Sequence, residues 1–300
     1  GNYSENDIKE CARAFTGWTI GNTEYMVMRS VRDSDWPYGR IAWHFEYKDD
    51  DHDHGEKEFL GQKGFFGGED IIRIICEQDA TARFIARHMY HFFVADEPPV
   101  PSWPYKPPKD PAAIDTLVSA YFESGHDIKS MLRTLFLSDF FKSEAVRYEK
   151  VKSPAELVAG ALRLTGEFDR PRREILNRGY QMQWMGQMLN NPPSVEGWHQ
   201  GTEWLDTGSL MERLNFASEQ FGDVNKPGVQ SMVEAIEGGS EQQLSSDSLV
   251  DRCLDQLGSF SVSDETREVL VGFAEEMRNV SGRSAETLRL AAATHEFQRT

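Results

Sequence analysis

The sequence predicts a mainly α-helical globular protein with a small β-hairpin near its start and a long proline-rich loop. Apolar residues recur at intervals of three and four over most of the 300 residues, which is typical of amphipathic helices. A short stretch, 41–47, alternates apolar and polar residues as a strand does. Residues 97–111 hold seven prolines, which neither a helix nor a central strand accepts.

The first predicted helix begins near Ser4. Ser4 is a good capping residue, and Asp7 lies in the first turn, where an acid suits the helix dipole. Its apolar face is formed by Ile8, Cys11, Ala12 and Phe15, and the pattern stops at Gly17.

The predicted hairpin covers residues 24–48. EYMVMRSV is its first strand, SDWPYGR its turn and IAWHFEYK its second strand. In the second strand the apolar residues fall on one side, so we expect that strand to be half-buried. They are Ile41, Trp43, Phe45 and Tyr47.

Helical patterns occupy most of the remaining chain, and SPAELVAGALRLTG has the clearest start. Ser153 stands at its cap and Pro154 at its first helical position. The sequence predicts a main helical domain over 1–221 and a linker over 222–246, where GGSEQQLSSDS is polar and nearly free of apolar residues. Residues 247–300 are expected to form helices that pack on the main domain.

The bulk composition excludes several classes of function. A net charge of −17 argues against nucleic acid or an anionic membrane as a partner. No apolar run reaches the about 18 residues that a membrane span needs. The three cysteines are far apart, form no metal or disulfide pattern and are expected to be buried thiols.

The chain starts at Gly1, just before a predicted helix, with no initiating methionine. This start predicts that a further N-terminal region exists in the full-length protein and contacts this chain. A removed leader would also fit an exported protein, in the periplasm, at the surface or secreted.

The stretch DDDHDHGEKEFLG (49–61) is the first candidate site. It does not fit an EF-hand loop, which needs glycine at position six and glutamate at position twelve. Whether the loop is aligned from the first or the second aspartate, at least one of these two positions holds a different residue. Its imidazoles and carboxylates are the donors that zinc, iron or manganese would use. On an extended strand His52 and His54 would share one side, and Asp53 would point away.

Two other interpretations of the same stretch need no metal. In a catalytic cluster, Asp53 orients His52, which acts as a general base, and Lys57 steadies an anion. In a structural loop, His52 and Asp53 hold the backbone by hydrogen bonds, and Gly55 permits a positive φ.

The stretch NNPPSVEGWHQGTEW (190–204) is the second candidate site. Tryptophan faces stack on sugar rings, and paired acids cleave glycosidic bonds, so these side chains suit a carbohydrate. The alternative is a loop whose tryptophans fill the core between helices. The candidate substrate-binding residues are Glu196, Trp198, His199, Glu203 and Trp204.

Seven stretches of the chain form a set of motifs in a fixed order. They are ARAFTGW (12–18), HDHGEKEFLG (52–61), ATARFIARHMYHFFV (80–94), KSPAELVAGALR (152–163), PPSVEGW (192–198), RLNFA (213–217) and HEFQ (295–298). Together they resemble the DUF1800 family of large bacterial proteins. The resemblance implies the C-terminal portion of a member that is often exported, and it implies no agreed activity. It matches His52, Asp53 and Lys57 but leaves His54 variable, which favours the His–Asp–Lys cluster over a two-histidine metal site.

Two functions remain open on these observations. The first is a hydrolase of a glycan or an ester that uses His52, Asp53 and the acids of 196–206. The second is a non-catalytic exported scaffold or a protein that binds a carbohydrate or a protein partner. The sequence holds no GxSxG elbow, HExxH, P-loop or Rossmann glycine pattern. A shared active site would require both candidate loops to line one cleft.

Overall fold

The computed structural model describes residues 2–21, 43–100, 102, 104–168, 170, 172–238 and 243–300. Over these residues the chain forms twelve α-helices and two small antiparallel hairpins, so the predicted mainly α-helical class is confirmed. The chain divides into two compact units. The first is Gly1–His88 with Asp110–Leu135, and the second is Met89–Lys109 with Phe136–Thr300.

The first unit is built from short helices and two hairpins. Its elements are α1 (Glu5–Ala14), β1 (Trp18–Gly21), β2 (His44–Tyr47), β3 (Lys57–Phe59), β4 (Gln62–Gly64), α2 (Gly68–Cys76), most of α3 (Asp79–Phe93), α4 (Pro111–Glu123) and most of α5 (Ile128–Leu137). Its small core includes Ala14, Phe59, Ile71 and Ile74, which are buried.

Helix α1 begins where the sequence predicts. The Ser4 hydroxyl accepts a hydrogen bond from the Asp7 amide at 3.2 Å, and the Asp7 carboxylate accepts one from the Ser4 amide at 2.7 Å. This reciprocal pair satisfies two amides that would otherwise have no partner at the helix start. The bonds from Ser4 lower the pKa of Asp7.

Strand β2 confirms part of the predicted hairpin. Its antiparallel partner is β1, with Trp18 opposite Tyr47, and residues 22–42, which include the predicted first strand and turn, lie outside the described residues. The expectation of a half-buried strand is wrong for the described part, because Phe45 is 62 % exposed. Its ring meets Trp18 edge-on, with 5.0 Å between the centroids, and otherwise faces solvent.

The hairpin of β3 and β4 was not predicted from the sequence. Phe59 pairs with Gln62, so Leu60 and Gly61 form the two-residue turn between them. Both have a positive φ, +47° and +79°, as a type I′ turn requires. This hairpin follows directly on the first candidate site.

The second unit is a layered helical bundle around one core. Its helices, besides the end of α3, are α6 (Pro154–Thr165), α7 (Ile175–Trp184), α8 (Thr207–Gly222), α9 (Pro227–Glu237), α10 (Ser246–Gln256), α11 (Asp264–Glu276) and α12 (Arg283–Ala292). The proline-rich loop follows α3 and, where described, contains no helix or strand. The core joins α6 and α8 to the C-terminal helices through buried residues such as Leu157, Phe216, Val229 and Leu288.

Helix α6 confirms its predicted start. Ser153 and Glu156 form a capping box, and Pro154 occupies the first turn. The helix ends at Gly166, whose φ of +63° gives the left-handed cap that glycine favours.

The predicted linker over 222–246 is wrong for residues 227–237. Helix α9 lies there, and its residues Val229, Met232 and Ile236 are buried in the core of the second unit. Their spacing of three and four residues is helical, and the polar residues around them occupy the exposed face. No break between units falls at 222.

The three cysteines are free thiols. Cys253 is buried as expected, and burial raises its pKa to about 12. Cys11 and Cys76 are only partly buried, so the expectation of buried thiols is wrong for these two. No described helix is both long and apolar enough to cross a bilayer.

Candidate functional site

The first candidate site is held by an ion pair between α1 and the 52–57 loop. Arg13 stands in the last turn of α1, and its Nε donates to Asp53 Oδ2 at 2.8 Å while its Nη2 donates to Asp53 Oδ1 at 3.2 Å. This two-point contact lowers the pKa of Asp53 and raises the pKa of Arg13. Glu10 accepts a further bond from Arg13 Nη1 at 2.7 Å.

Gly55 adds a backbone hydrogen bond to the Asp53 carboxylate, a role that the sequence does not show. Its amide donates to Asp53 Oδ1 at 2.8 Å. The predicted positive φ is wrong, because Gly55 is not among the residues in that region. An added Cβ would lie 2.7 Å from Arg13 Nη2 and 2.9 Å from Asp53 Oδ1, so a side chain here would displace the ends of the two side chains that form the ion pair.

Thr16 joins the end of α1 to the same loop. Its hydroxyl donates to the Arg13 carbonyl at 2.6 Å and accepts from the Asp53 amide at 2.8 Å. Its carbonyl lies 2.9 Å from His52 Nδ1, and because a carbonyl only accepts, Nδ1 carries the proton. The predicted orientation of His52 by Asp53 is therefore wrong, and the Thr16 backbone holds the imidazole.

Lys57 is buried and has a structural role. Only 1 % of the residue's surface is exposed to solvent. Its Nζ donates to the carbonyls of Asp53 and Gly55, and the bond to Gly55 is 2.9 Å long. The prediction that Lys57 steadies a bound anion is wrong, because loop carbonyls surround its ammonium. The loop is folded around this lysine.

A metal at 52–54 does not fit the donors present. The Asp53 carboxylate is taken by Arg13, and His54 Nε2 faces the Asp49 carbonyl at 3.3 Å. The His52 and His54 rings meet edge-on at 4.8 Å between centroids. Across the described residues, no group of three or more His, Cys, Asp or Glu side chains is placed to hold a metal ion.

The second candidate stretch is a turn that leads into a short 3₁₀ helix, Gly201–Leu205. Gly197 has a φ of +99°, and the Trp198 indole donates to the Met188 carbonyl at 2.9 Å. Trp204 is only 8 % exposed, so its predicted role in stacking on a sugar is wrong and the core-filling alternative holds. Trp198 is half-buried and anchored through its nitrogen.

His199 and Glu203 form the one histidine–carboxylate hydrogen bond among the predicted site residues that the structure describes. Their Nδ1 and Oε2 atoms are 2.6 Å apart, and the side chains are 68 % and 59 % exposed. Glu196 is exposed on the preceding turn, where its amide donates to the Ser194 hydroxyl at 3.2 Å. The His199–Glu203 pair is therefore exposed to solvent.

The two candidate stretches belong to different units. The residues His52, Asp53 and Lys57 lie in the first unit, and the 190–206 stretch lies in the second. A shared cleft between them stays a prediction.

A comparison with protein families identifies the family of this chain. The family model described as a protein of unknown function, DUF1800, matches residues 1–299. The chain belongs to the DUF1800 family. Comparisons with curated proteins and with solved structures gave no match.

Three DUF1800-like stretches meet in a buried cluster that sequence reasoning missed. Arg213 is 0 % exposed, and its Nε donates to Gln298 Oε1 at 3.0 Å while its Nη2 donates to the Lys152 carbonyl at 2.8 Å. Lys152 Nζ donates to the Phe297 carbonyl at 2.7 Å and lies 4.4 Å from the centre of that ring. The stretches KSPAE, RLNFA and HEFQ are thus tied together.

The cluster holds two cations with no close acid. Within the described residues, neither Lys152 nor Arg213 has a carboxylate oxygen within 4.0 Å. Burial lowers the pKa of Arg213 to about 10, and burial together with the Arg213 charge lowers the pKa of Lys152 to about 8. The resemblance to the DUF1800 family includes all three stretches, and it is the sequence signal that could have indicated this cluster.

Proposed function

We propose that this DUF1800 protein binds a ligand or a partner and has no catalytic activity of its own. One observation carries the proposal: Arg13 binds both carboxylate oxygens of Asp53, the acid that a His52 base would use. A bacterial source and export from the cell are further parts of this proposal, and they rest on the family resemblance alone.

The chemistry of the first site favours a structural role. A catalytic acid or base works best with a pKa near the working pH, and active sites shift pKa values in that direction. Arg13 shifts the pKa of Asp53 the other way, further below its usual range. Asp53 therefore stays ionised at neutral pH and serves as a fixed anchor for the loop.

An Asp53→Asn variant is expected to melt at a lower temperature than the wild type between pH 5 and 8. The lowered pKa means that ionised Asp53 stabilises the fold above its unfolded pKa of about 3.9, and that this contribution is lost as the pH falls through the folded pKa. The difference between the two melting temperatures should therefore shrink in strong acid. Circular dichroism melts at several pH values measure it.

The matched control is Asp50→Asn, an exposed acid in the same loop. It removes the same charge and should leave the melting temperature nearly unchanged. The proposal fails if the wild type hydrolyses ester or glycan substrates, and loss of that turnover in an Asp53→Asn variant that melts normally would place the catalysis at this loop.

A hydrolase acting on a glycan or an ester is the second candidate function, and the His199–Glu203 pair is the observation that favours it. A carboxylate that holds Nδ1 leaves Nε2 as the basic nitrogen, which is the arrangement of an activated general base. Such an enzyme would use His199 in place of His52.

Under this alternative, His199→Ala should abolish hydrolysis of nitrophenyl esters or glycosides, and Glu203→Gln should reduce it by about 10²-fold or more. His54→Ala is the control, since His54 is similarly exposed and contacts Asp49. No turnover by the wild type, or equal turnover by all variants, would end the hydrolase alternative.

A further inference from the structure

The second unit contains an open pocket of about 420 Å³ that neither candidate stretch lines. This volume falls within the range of about 300–1,000 Å³ that small-ligand sites occupy. Aromatic and basic side chains dominate its wall, including Phe92, Phe93, Lys142, Arg147, Tyr148 and Lys150. All of these residues belong to the second unit.

Two ammonium groups of the pocket are available to a negative ligand. Lys142 Nζ donates to the Leu137 carbonyl at 2.8 Å, and Lys150 Nζ donates to the Phe92 carbonyl at 2.7 Å. Within the part of the chain that the structure describes, neither has a carboxylate within 4.0 Å. An ammonium has three donors, so each keeps donors for a ligand.

The acids of the pocket are already engaged. Glu144 lies 3.4 Å from Arg147, and Glu156 accepts the Ser153 amide at 2.7 Å within the capping box of α6. Glu156 also interacts electrostatically with the partly buried Lys152 and the buried Arg213. The three cationic side chains of the lining, Lys142, Arg147 and Lys150, outnumber these two acids by one, in a chain whose net charge is −17.

Phe92 offers exposed aromatic surface in the pocket, and Lys150 Nζ lies over one face of its ring. Phe92 is 64 % exposed although it lines the pocket, and Phe93 supports it edge-on with 4.7 Å between the centroids. Lys150 Nζ lies 5.0 Å from the centre of the Phe92 ring. A charged donor thus stands beside an aromatic surface, as recognition of a ring that carries an acid requires.

We propose that this pocket binds an acidic saccharide, with its carboxylate at Lys142 and Lys150 and its ring face on Phe92. A hexuronate unit has both features, whereas a neutral sugar lacks the charge and inorganic phosphate lacks the ring. This inference goes beyond the proposed function, which requires only that the chain bind some ligand or partner.

The test is calorimetric titration of the whole chain with glucuronate, with glucose and inorganic phosphate as comparison ligands. We expect glucuronate to bind and to bind more weakly as salt is added. Lys142→Gln with Lys150→Gln should weaken binding at least about tenfold, equivalent to about 1.4 kcal/mol. Phe92→Ala should also weaken it.

Lys9→Gln is the matched control, because Lys9 is an exposed lysine of α1 in the first unit. It makes the same charge change as Lys142→Gln alone and should leave the affinity for glucuronate unchanged. Lys142→Gln alone changes an exposed residue and keeps the test valid if the double variant melts at a lower temperature.

Three results would overturn the inference: no heat of binding with glucuronate at millimolar concentration, equal affinity for glucose, or equal affinity for phosphate. The first removes the site, the second removes charge recognition and the third reduces the pocket to a plain anion site. None of them bears on catalysis, which the turnover assays of wild type and Asp53→Asn decide separately.

Discussion

A Gly228→Ala variant is expected to lose much of the stability of the second unit. Gly228 is the second residue of α9 and lies against the end of α6. An added Cβ would overlap the Leu164 carbonyl oxygen and lie 2.6 Å from the Thr165 carbonyl carbon. Both are backbone atoms that cannot rotate away, so α9 must move. Overpacking typically costs about 1–3 kcal/mol, and we expect the upper end or more here.

Gly272→Ala provides the matched control. Gly272 lies in the interior of α11, and a Cβ there would meet nothing within 4 Å. Alanine favours a helix over glycine by about 0.5–1 kcal/mol, so this variant should be slightly more stable than the wild type. Urea unfolding of both variants gives the comparison.

The same experiment tests whether α9 is part of the core. If residues 222–246 were a flexible linker, Gly228→Ala would shift the urea midpoint no more than Gly272→Ala does. A large loss for Gly228→Ala alone would show that the close approach of α9 to α6 supports the folded unit.

Local signals were sufficient for several elements of this fold. Ser4 with Asp7 and Ser153 with Pro154 mark helix starts because each makes its contacts within one turn of the chain. Helix α9 was missed for a different reason. Its polar exposed face and polar flanks outweighed three buried residues, and burial depends on helices that lie far away in sequence.

The contacts of the first candidate site join residues that lie far apart in the sequence. Asp53 binds Arg13, which is 40 residues earlier, and no spacing rule indicates that partner. The sequence assigned Asp53 to its neighbour His52, but consecutive side chains on an extended segment point to opposite sides. The resemblance marked both ARAFTGW and HDHGEKEFLG, so the pair could have been proposed from it.

The remaining wrong predictions concern which polar and aromatic side chains are buried. Lys57 was assigned to an anion as part of the His–Asp–Lys cluster, and lysine is almost never fully buried unless it has partners. The structure satisfies its ammonium with two backbone carbonyls of its own loop, a pairing that depends on the exact path of the backbone. Trp204 was assigned to a sugar but is buried. Its residue type does not decide between the two, because a large aromatic ring suits either a sugar-binding site or a core.

Arg213→Ala is expected to destabilise the second unit by about 3–5 kcal/mol. Arg213 is fully buried, and its loss leaves the Gln298 side-chain oxygen and the Lys152 carbonyl without this donor. It also leaves a cavity beneath α8. Because Lys152 and Gln298 border this cavity, the end of the chain should lose its attachment together with the start of α6.

Two further variants separate the shape of Arg213 from its charge. Arg213→Lys keeps a cation but cannot reach both acceptors with a planar fork, so we expect it to lose most of the same stability. Arg278→Ala removes an exposed arginine that pairs with Glu275 at 2.9 Å, and it should cost about 0–1 kcal/mol. If urea unfolding gave Arg213→Ala no larger a loss than Arg278→Ala, the buried cluster would not hold these three family-like stretches together. A large loss for both Arg213 variants would make that cluster the structural reason why these three stretches occur together.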